Sequence, residues 1–69
     1  MTDDESIKRF RRLVIFNCSG AQLKLSAGGT MYYVADGKGE RISQNKTDAL
    51  KAWMSAKQFL MDAGRYVSP

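Results

Sequence analysis

TMYYVADGKGERIS, residues 30–43, is the stretch of sequence that decides the fold. Residues 30–35 have the aromatic and β-branched composition of a strand, and the DGKG segment at 36–39 is turn chemistry because its two glycines accept positive φ angles. Residues 40–43 follow as a short strand. The stretch therefore predicts a β-hairpin.

An additional strand precedes this hairpin. Residues 22–26 alternate polar and apolar side chains with the period of two that is typical of a half-buried strand. Residues 27–29, with two glycines, then reverse the chain. Strands near 22–26, 30–35 and 40–43 together predict a three-stranded antiparallel meander.

The end of the chain predicts a helix over about 47–63. Residues 48–63 contain no proline, glycine or β-branched residue, and Thr47 or Asn45 can cap the start. Gly64 is placed to stop the helix. We expect this helix to pack on the sheet.

This C-terminal helix is apolar over more than half of its circumference. Leu50, Met54 and Met61 lie about 80° round the helix from the side that carries Trp53. Lys57 lies between these three side chains and Trp53 on the helix circumference. A helix of this kind usually has neighbours on two sides, so the sheet alone would leave part of it uncovered. We therefore predict a protein interface at Leu50, Met54, Lys57 and Met61.

The start of the chain predicts a helix over about 3–16. A capping box runs from Thr2 to Glu5, and acidic residues precede basic ones, as the helix dipole favours. Apolar side chains fall on one arc and cationic ones on another. The LVIF run at 13–16 leaves open a short helix followed by a strand. With 69 residues, the chain predicts one α+β domain over 1–69.

Composition excludes most enzyme classes. Histidine is absent and Cys18 is the single cysteine, so histidine-based catalysis, disulfides and the usual zinc sites lack their residues. The DGKGE segment at 36–40 has the spacing of neither a phosphate loop nor a calcium loop. We expect a non-enzymatic protein with no catalytic residues, metal or cofactor. No apolar run approaches the ~20 residues of a membrane span, so we expect no membrane partner and a cytoplasmic location.

Positive charge points to a polyanion as the partner. The net charge is +4, but from Ile7 onward 11 basic residues face 4 acidic ones. Adjacent Tyr32 and Tyr33 must point to opposite faces of one strand, so one of them lies outward with Lys24 and Arg41. Such a surface can hold phosphates and stack bases. The candidate nucleic-acid contacts are Lys8, Arg9, Arg11, Arg12, Lys24, Tyr32, Tyr33, Lys38 and Arg41.

Residues 32–43 and 45–52 resemble the amino-terminal arm-binding domains of tyrosine integrases. The features that carry the resemblance are the Gly-Lys-Gly turn at 37–39 and the helix start Thr47-Asp48-Ala49, where the family has a Thr-x-x-Ala-type start. The resemblance implies a three-stranded sheet that packs on one helix and lies in a DNA major groove. It also implies contacts from Tyr32 or Tyr33, Lys38 and Arg41.

A second function class stays open at this point. Flexible methionine-rich surfaces adapt well to protein partners, and a homodimer would be the simplest case. A small basic protein of this kind is similar to the inhibitors and adaptors of phages and mobile elements, such as anti-CRISPRs. Its partner would be an acidic or nucleic-acid-binding protein.

Overall fold

The computed structural model describes residues 3–68. It contains helix α1 at Asp3–Asn17, strand β1 at Gln22–Leu25, strand β2 at Tyr32–Ala35 and helix α2 at Ala49–Asp62. The strands pair in one antiparallel sheet. The predicted α+β class, both helices and two of the three strands are confirmed.

Helix α1 continues through the LVIF run, so the alternative of a strand at 13–16 is wrong. Val14 of that run is fully buried, and Ile7 and Phe10 pack beside it on the same face. Asp3, Asp4 and Glu5 occupy the first turn, where the helix dipole stabilises negative charge. Thr2, the other half of the expected capping box, lies outside the described residues.

The register of the sheet gives its two faces different chemistry. Leu23 pairs with Val34, and Val34 is fully buried in the core. The neighbouring pair, Lys24 and Tyr33, lies on the opposite face because successive side chains alternate. The sheet therefore has one core face and one outer face.

The predicted third strand at 40–43 is not present. Isolated bridges join Ala35 to Arg41 and Tyr32 to Lys46, so six residues, 41–46, run beside only four residues of β2. The two extra residues bulge out, which breaks a regular ladder. The Ser43 hydroxyl replaces the missing backbone acceptor, because it accepts a hydrogen bond from the Val34 N–H at 2.7 Å. We call residues 41–46 the bulged segment.

The N-cap of helix α2 lies one residue after Thr47 and three residues after Asn45, the two expected caps. Asp48 is the N-cap instead of Thr47 or Asn45, since its backbone is extended and its carboxylate accepts from the Lys51 N–H at 2.8 Å. A carboxylate at this position is also stabilised by the helix dipole. At the other end Gly64 has a φ of 70°, and the Arg65 N–H reaches back to the Leu60 carbonyl, so the predicted glycine stop is confirmed.

The core lies where α2 meets the sheet and α1. Trp53 is 2% exposed and is the largest fully buried side chain. Within residues 3–68, α1 packs on α2 and makes no close backbone approach to either strand. Helix α2 is therefore the element to which both the sheet and α1 attach. Among the described residues, no helix has the length and apolar character needed to cross a bilayer.

Candidate nucleic-acid interface

Three predicted site residues meet on the outer face of the sheet. Lys24 of β1 lies directly across from Tyr33 of β2 in the antiparallel register. The guanidinium carbon of Arg41, in the bulged segment, lies 4.3 Å from the centre of the Tyr33 ring. We call Lys24, Tyr33 and Arg41 the sheet platform. Lys24 and Arg41 are exposed and Tyr33 is half-buried.

The position of Arg41 follows from the local structure. Its backbone bridges to Ala35 of β2, two residues from Tyr33, so the side chain extends over the same face. Its guanidinium donates to the Asn45 amide oxygen at 2.8 Å, within the bulged segment. A cation held against an aromatic ring combines a phosphate-binding charge with a planar stacking surface.

The other predicted residues of the hairpin are placed differently. Tyr32 packs against the core, so Tyr33 alone is the outward tyrosine. Lys38 is exposed in the hairpin turn. The turn is fixed by Asp36, whose carboxylate accepts from the Lys38 and Glu40 N–H groups at 2.8 and 2.9 Å. Lys38 therefore extends the basic surface beyond the strands.

A groove of about 670 Å³ lies between the bulged segment and α2. The bulge is attached to the helix, since the Gln44 N–H donates to the Ser55 hydroxyl at 2.9 Å. One of the lining residues is Arg41, so the groove adjoins the sheet platform. Phe59 lines it as well and is 41% exposed. The basic side chains that line the groove are Arg41, Lys46 and Lys51, and the acidic one is Asp62.

A separate cationic surface lies on α1. Lys8, Arg9 and Arg12 line a depression of about 550 Å³ there, together with Glu5, Leu13 and Phe16. Phe16 is 60% exposed, although the sequence places it at the end of an apolar run. Arg11 is also exposed but does not line the depression. The predicted basic residues of the chain thus divide between two surfaces on different elements.

The predicted protein interface on α2 is partly exposed. Met54 and Met61 are 46% and 48% exposed, and Leu50 is half-buried. Lys57 has an internal contact instead, because its ammonium nitrogen lies 5.5 Å from the Phe10 ring centre and 5.4 Å from that of Tyr66. Lys57 therefore takes part in packing α1 and the C-terminal segment against α2.

Most of the basic side chains keep their charge available to a ligand. Lys51 lies 3.9 Å from Asp48, in an exposed pair that contributes little to stability. No carboxylate of residues 3–68 lies within 4 Å of the side-chain nitrogens of Lys24 or Arg41. The same part of the chain has no group of three or more His, Cys, Asp or Glu side chains that could hold a metal ion.

Comparisons of this chain with protein-family models, curated proteins and solved structures found no match.

Sequence patterns did not identify three residues that line the groove: Phe59, Lys46 and Lys51. Phe59 lies next to Ala52 on the helical wheel, within 20° or so, and Ala52 is fully buried. From spacing alone Phe59 belongs to the core. Lys46 and Lys51 line a groove that exists because the bulged segment lies against α2, and no local sequence pattern predicts that bulge.

Proposed function

We propose that this protein is a non-enzymatic nucleic-acid-binding module that uses the outer face of its sheet. The observation that carries the proposal is the sheet platform, in which Arg41 lies 4.3 Å from the Tyr33 ring centre and Lys24 is the cross-strand partner of Tyr33. Phosphates would pair with the two cations, and a base would stack on the Arg41 guanidinium, which itself lies over the Tyr33 ring.

The charge distribution supports the same partner class. Lys38 in the hairpin turn adds a third cation near the end of the sheet. Contacts of this type are sequence-tolerant, since phosphates and base faces are common to all sequences. We therefore expect binding with little sequence preference. We also propose that the resemblance to integrase arm-binding domains reflects the shared hairpin and helix start.

Salt dependence tests the proposal. If Lys24, Lys38 and Arg41 each displace a counterion from a single strand, the logarithm of affinity falls against the logarithm of salt concentration with a slope of about −2 or steeper. Fluorescence anisotropy with a labelled oligonucleotide measures that slope between about 50 and 200 mM salt. A flat profile would contradict the proposal.

Substitutions locate the surface. Tyr33→Leu removes the ring and should weaken binding by ~1–3 kcal/mol, whereas Tyr33→Phe should retain it. Arg41→Gln should weaken binding and reduce the slope by ~0.7. Arg9→Gln, which removes an arginine from the α1 surface, is the matched control and should leave binding by the sheet platform unchanged. If Arg9→Gln has the larger effect, the sheet is not the binding surface.

A second candidate function is protein binding through α2. The observation that favours it is the exposure of Met54 and Met61, which leaves thioether side chains free to adapt to a partner. An inhibitor or adaptor role, or a homodimer, would cover this surface. Sedimentation over a range of concentrations tests the homodimer, and a Met54→Lys, Met61→Lys variant should then be monomeric. A monomer at all concentrations would contradict the homodimer.

A further inference from the structure

We infer that the groove between the bulged segment and α2 is a second binding subsite, which accepts the unpaired bases of a single strand that crosses the sheet platform. This inference deepens the proposed function and rests on it. It assigns roles to Phe59, Lys46 and Lys51, and it makes single-stranded nucleic acid the substrate class.

The sheet platform and the groove adjoin each other, which is the first step. Arg41 both contacts the Tyr33 ring and lines the groove, so the platform and the groove share one side chain. The bulge that forms one wall is fixed on the other wall by the hydrogen bond from Gln44 to Ser55. A strand that leaves the Tyr33 ring beside Arg41 therefore meets a groove that is already formed.

The second step is the chemistry of the groove. Phe59 provides an aromatic ring that is 41% exposed, and aromatic rings stack with any base. Lys46 and Lys51 provide cations for the backbone. Asp62 is the opposing charge, and it accepts a hydrogen bond from Gln58 at 2.8 Å. Lys51 and Asp62 are 11 residues apart on the helix, or ~16 Å along its axis, so this carboxylate is remote from that cation. The carboxylate near Lys51 is that of Asp48, 3.9 Å away in an exposed pair that solvent screens.

The third step concerns whether the ligand is single-stranded or duplex nucleic acid. Stacking with the Arg41–Tyr33 pair and with Phe59 requires the flat face of an unpaired base, which a duplex hides within its own stack. The volume of about 670 Å³ is in the ~300–1,000 Å³ range of small-ligand pockets, which fits base-sized groups. The groove thus favours a single strand over a duplex.

The direct test compares an oligothymidylate of about 15 nucleotides with a duplex of the same length, using the full chain. The single strand should bind more tightly. Phe59→Leu keeps an apolar side chain but removes the ring, so affinity for the single strand should fall about 5- to 150-fold. Phe16→Leu, at the exposed phenylalanine of α1, is the matched control and should have no effect.

The basic residues provide a test that does not disturb packing. Two further phosphate contacts, at Lys46 and Lys51, would steepen the salt slope from about −2 to about −3.5. A Lys46→Gln, Lys51→Gln variant should return it to about −2. In addition, Phe59→Trp should bind the oligonucleotide with quenching of the new indole, while buried Trp53 gives a constant background.

The outcomes separate this inference from the proposed function. If Tyr33→Leu weakens binding while Phe59→Leu and the double lysine variant do not, the groove is no subsite and the sheet platform still stands. If the duplex binds as tightly as the single strand, the substrate class is wrong. If wild-type protein binds neither probe, both the inference and the proposed function are overturned.

Discussion

Ser43→Ala tests the physical reason for the missing third strand. The Ser43 side chain is 7% exposed, and its hydroxyl accepts from the N–H of Val34, a residue with no exposed surface. The same hydroxyl donates to the Gln44 carbonyl at 3.1 Å. Alanine would leave the Val34 N–H buried without an acceptor, which costs ~1–3 kcal/mol.

That loss is large for a protein of this size. At ~0.05–0.15 kcal/mol per residue, a chain of 69 residues has a free energy of unfolding of about 3–10 kcal/mol. Each kcal/mol lost lowers the melting temperature by ~4–8 °C. Urea denaturation followed by the fluorescence of buried Trp53 measures the change as a lower midpoint with an unchanged slope.

Ser55→Ala is the matched control, because it also removes a hydroxyl that accepts from a backbone N–H. The Gln44 N–H that it leaves is exposed, so water replaces the hydroxyl and the loss should stay below ~1 kcal/mol. Equal small losses in both variants, with the Val34 amide still protected from hydrogen exchange, would refute the reasoning. In that case the bulged segment would have rearranged to pair with β2 as a regular strand, with a backbone carbonyl as the acceptor for the Val34 N–H.

Three other substitutions test the fold. Gly20→Ala should destabilise the protein by ~1–3 kcal/mol in urea denaturation, since the φ of Gly20 is +86° and an added Cβ would lie 2.9 Å from the Gly37 Cα. Wild-type stability would contradict the close approach of the turns that contain Gly20 and Gly37. Asn17→Ala removes both hydrogen bonds to the Val67 backbone, at 2.6 and 3.0 Å, and should increase proteolysis of residues 65–68; unchanged cleavage would argue against this attachment. Asp48→Ala should lower thermal stability by ~0.5–2 kcal/mol through loss of the helix cap, with Thr47→Ala nearly neutral; the reverse order would show that the cap is misassigned.

The regular elements could be predicted from local patterns. The absence of helix breakers over 48–63 and the glycine at 64 were sufficient for α2, and the alternation at 22–26 was sufficient for β1. The N-cap was not predictable from composition, because Asn45, Thr47 and Asp48 are all good caps within four residues. The chain geometry that selects Asp48 arises where the bulged segment reaches the helix.

The bulge itself had no local signal. Residues 40–43 have an ordinary strand composition, and Ser43 reads as a polar position on a short edge strand. Only the tertiary pairing with Val34 shows that a hydroxyl takes the place of a backbone carbonyl. A side chain that substitutes for the ladder is a long-range contact, so periodicity alone could not predict it.

The candidate site divides in the same way. Strand alternation was sufficient to predict that one tyrosine shares a face with Lys24, because a period of two needs no tertiary information. The position of Arg41 over that tyrosine depends instead on its isolated bridge to Ala35. The groove with Phe59 depends on how far the sheet extends over α2. That extent is a property of packing, and it leaves a ring exposed at a position whose spacing is typical of the core.

An NMR titration of the labelled full chain with an oligothymidylate gives the most direct view of the binding surface. The backbone amides of Lys24, Tyr33 and Arg41 should shift in a concentration-dependent manner, while those of Arg9 and Phe16 on α1 stay in place. Shifts confined to α1, or no shifts at low salt, would contradict the assignment of nucleic-acid binding to the outer face of the sheet.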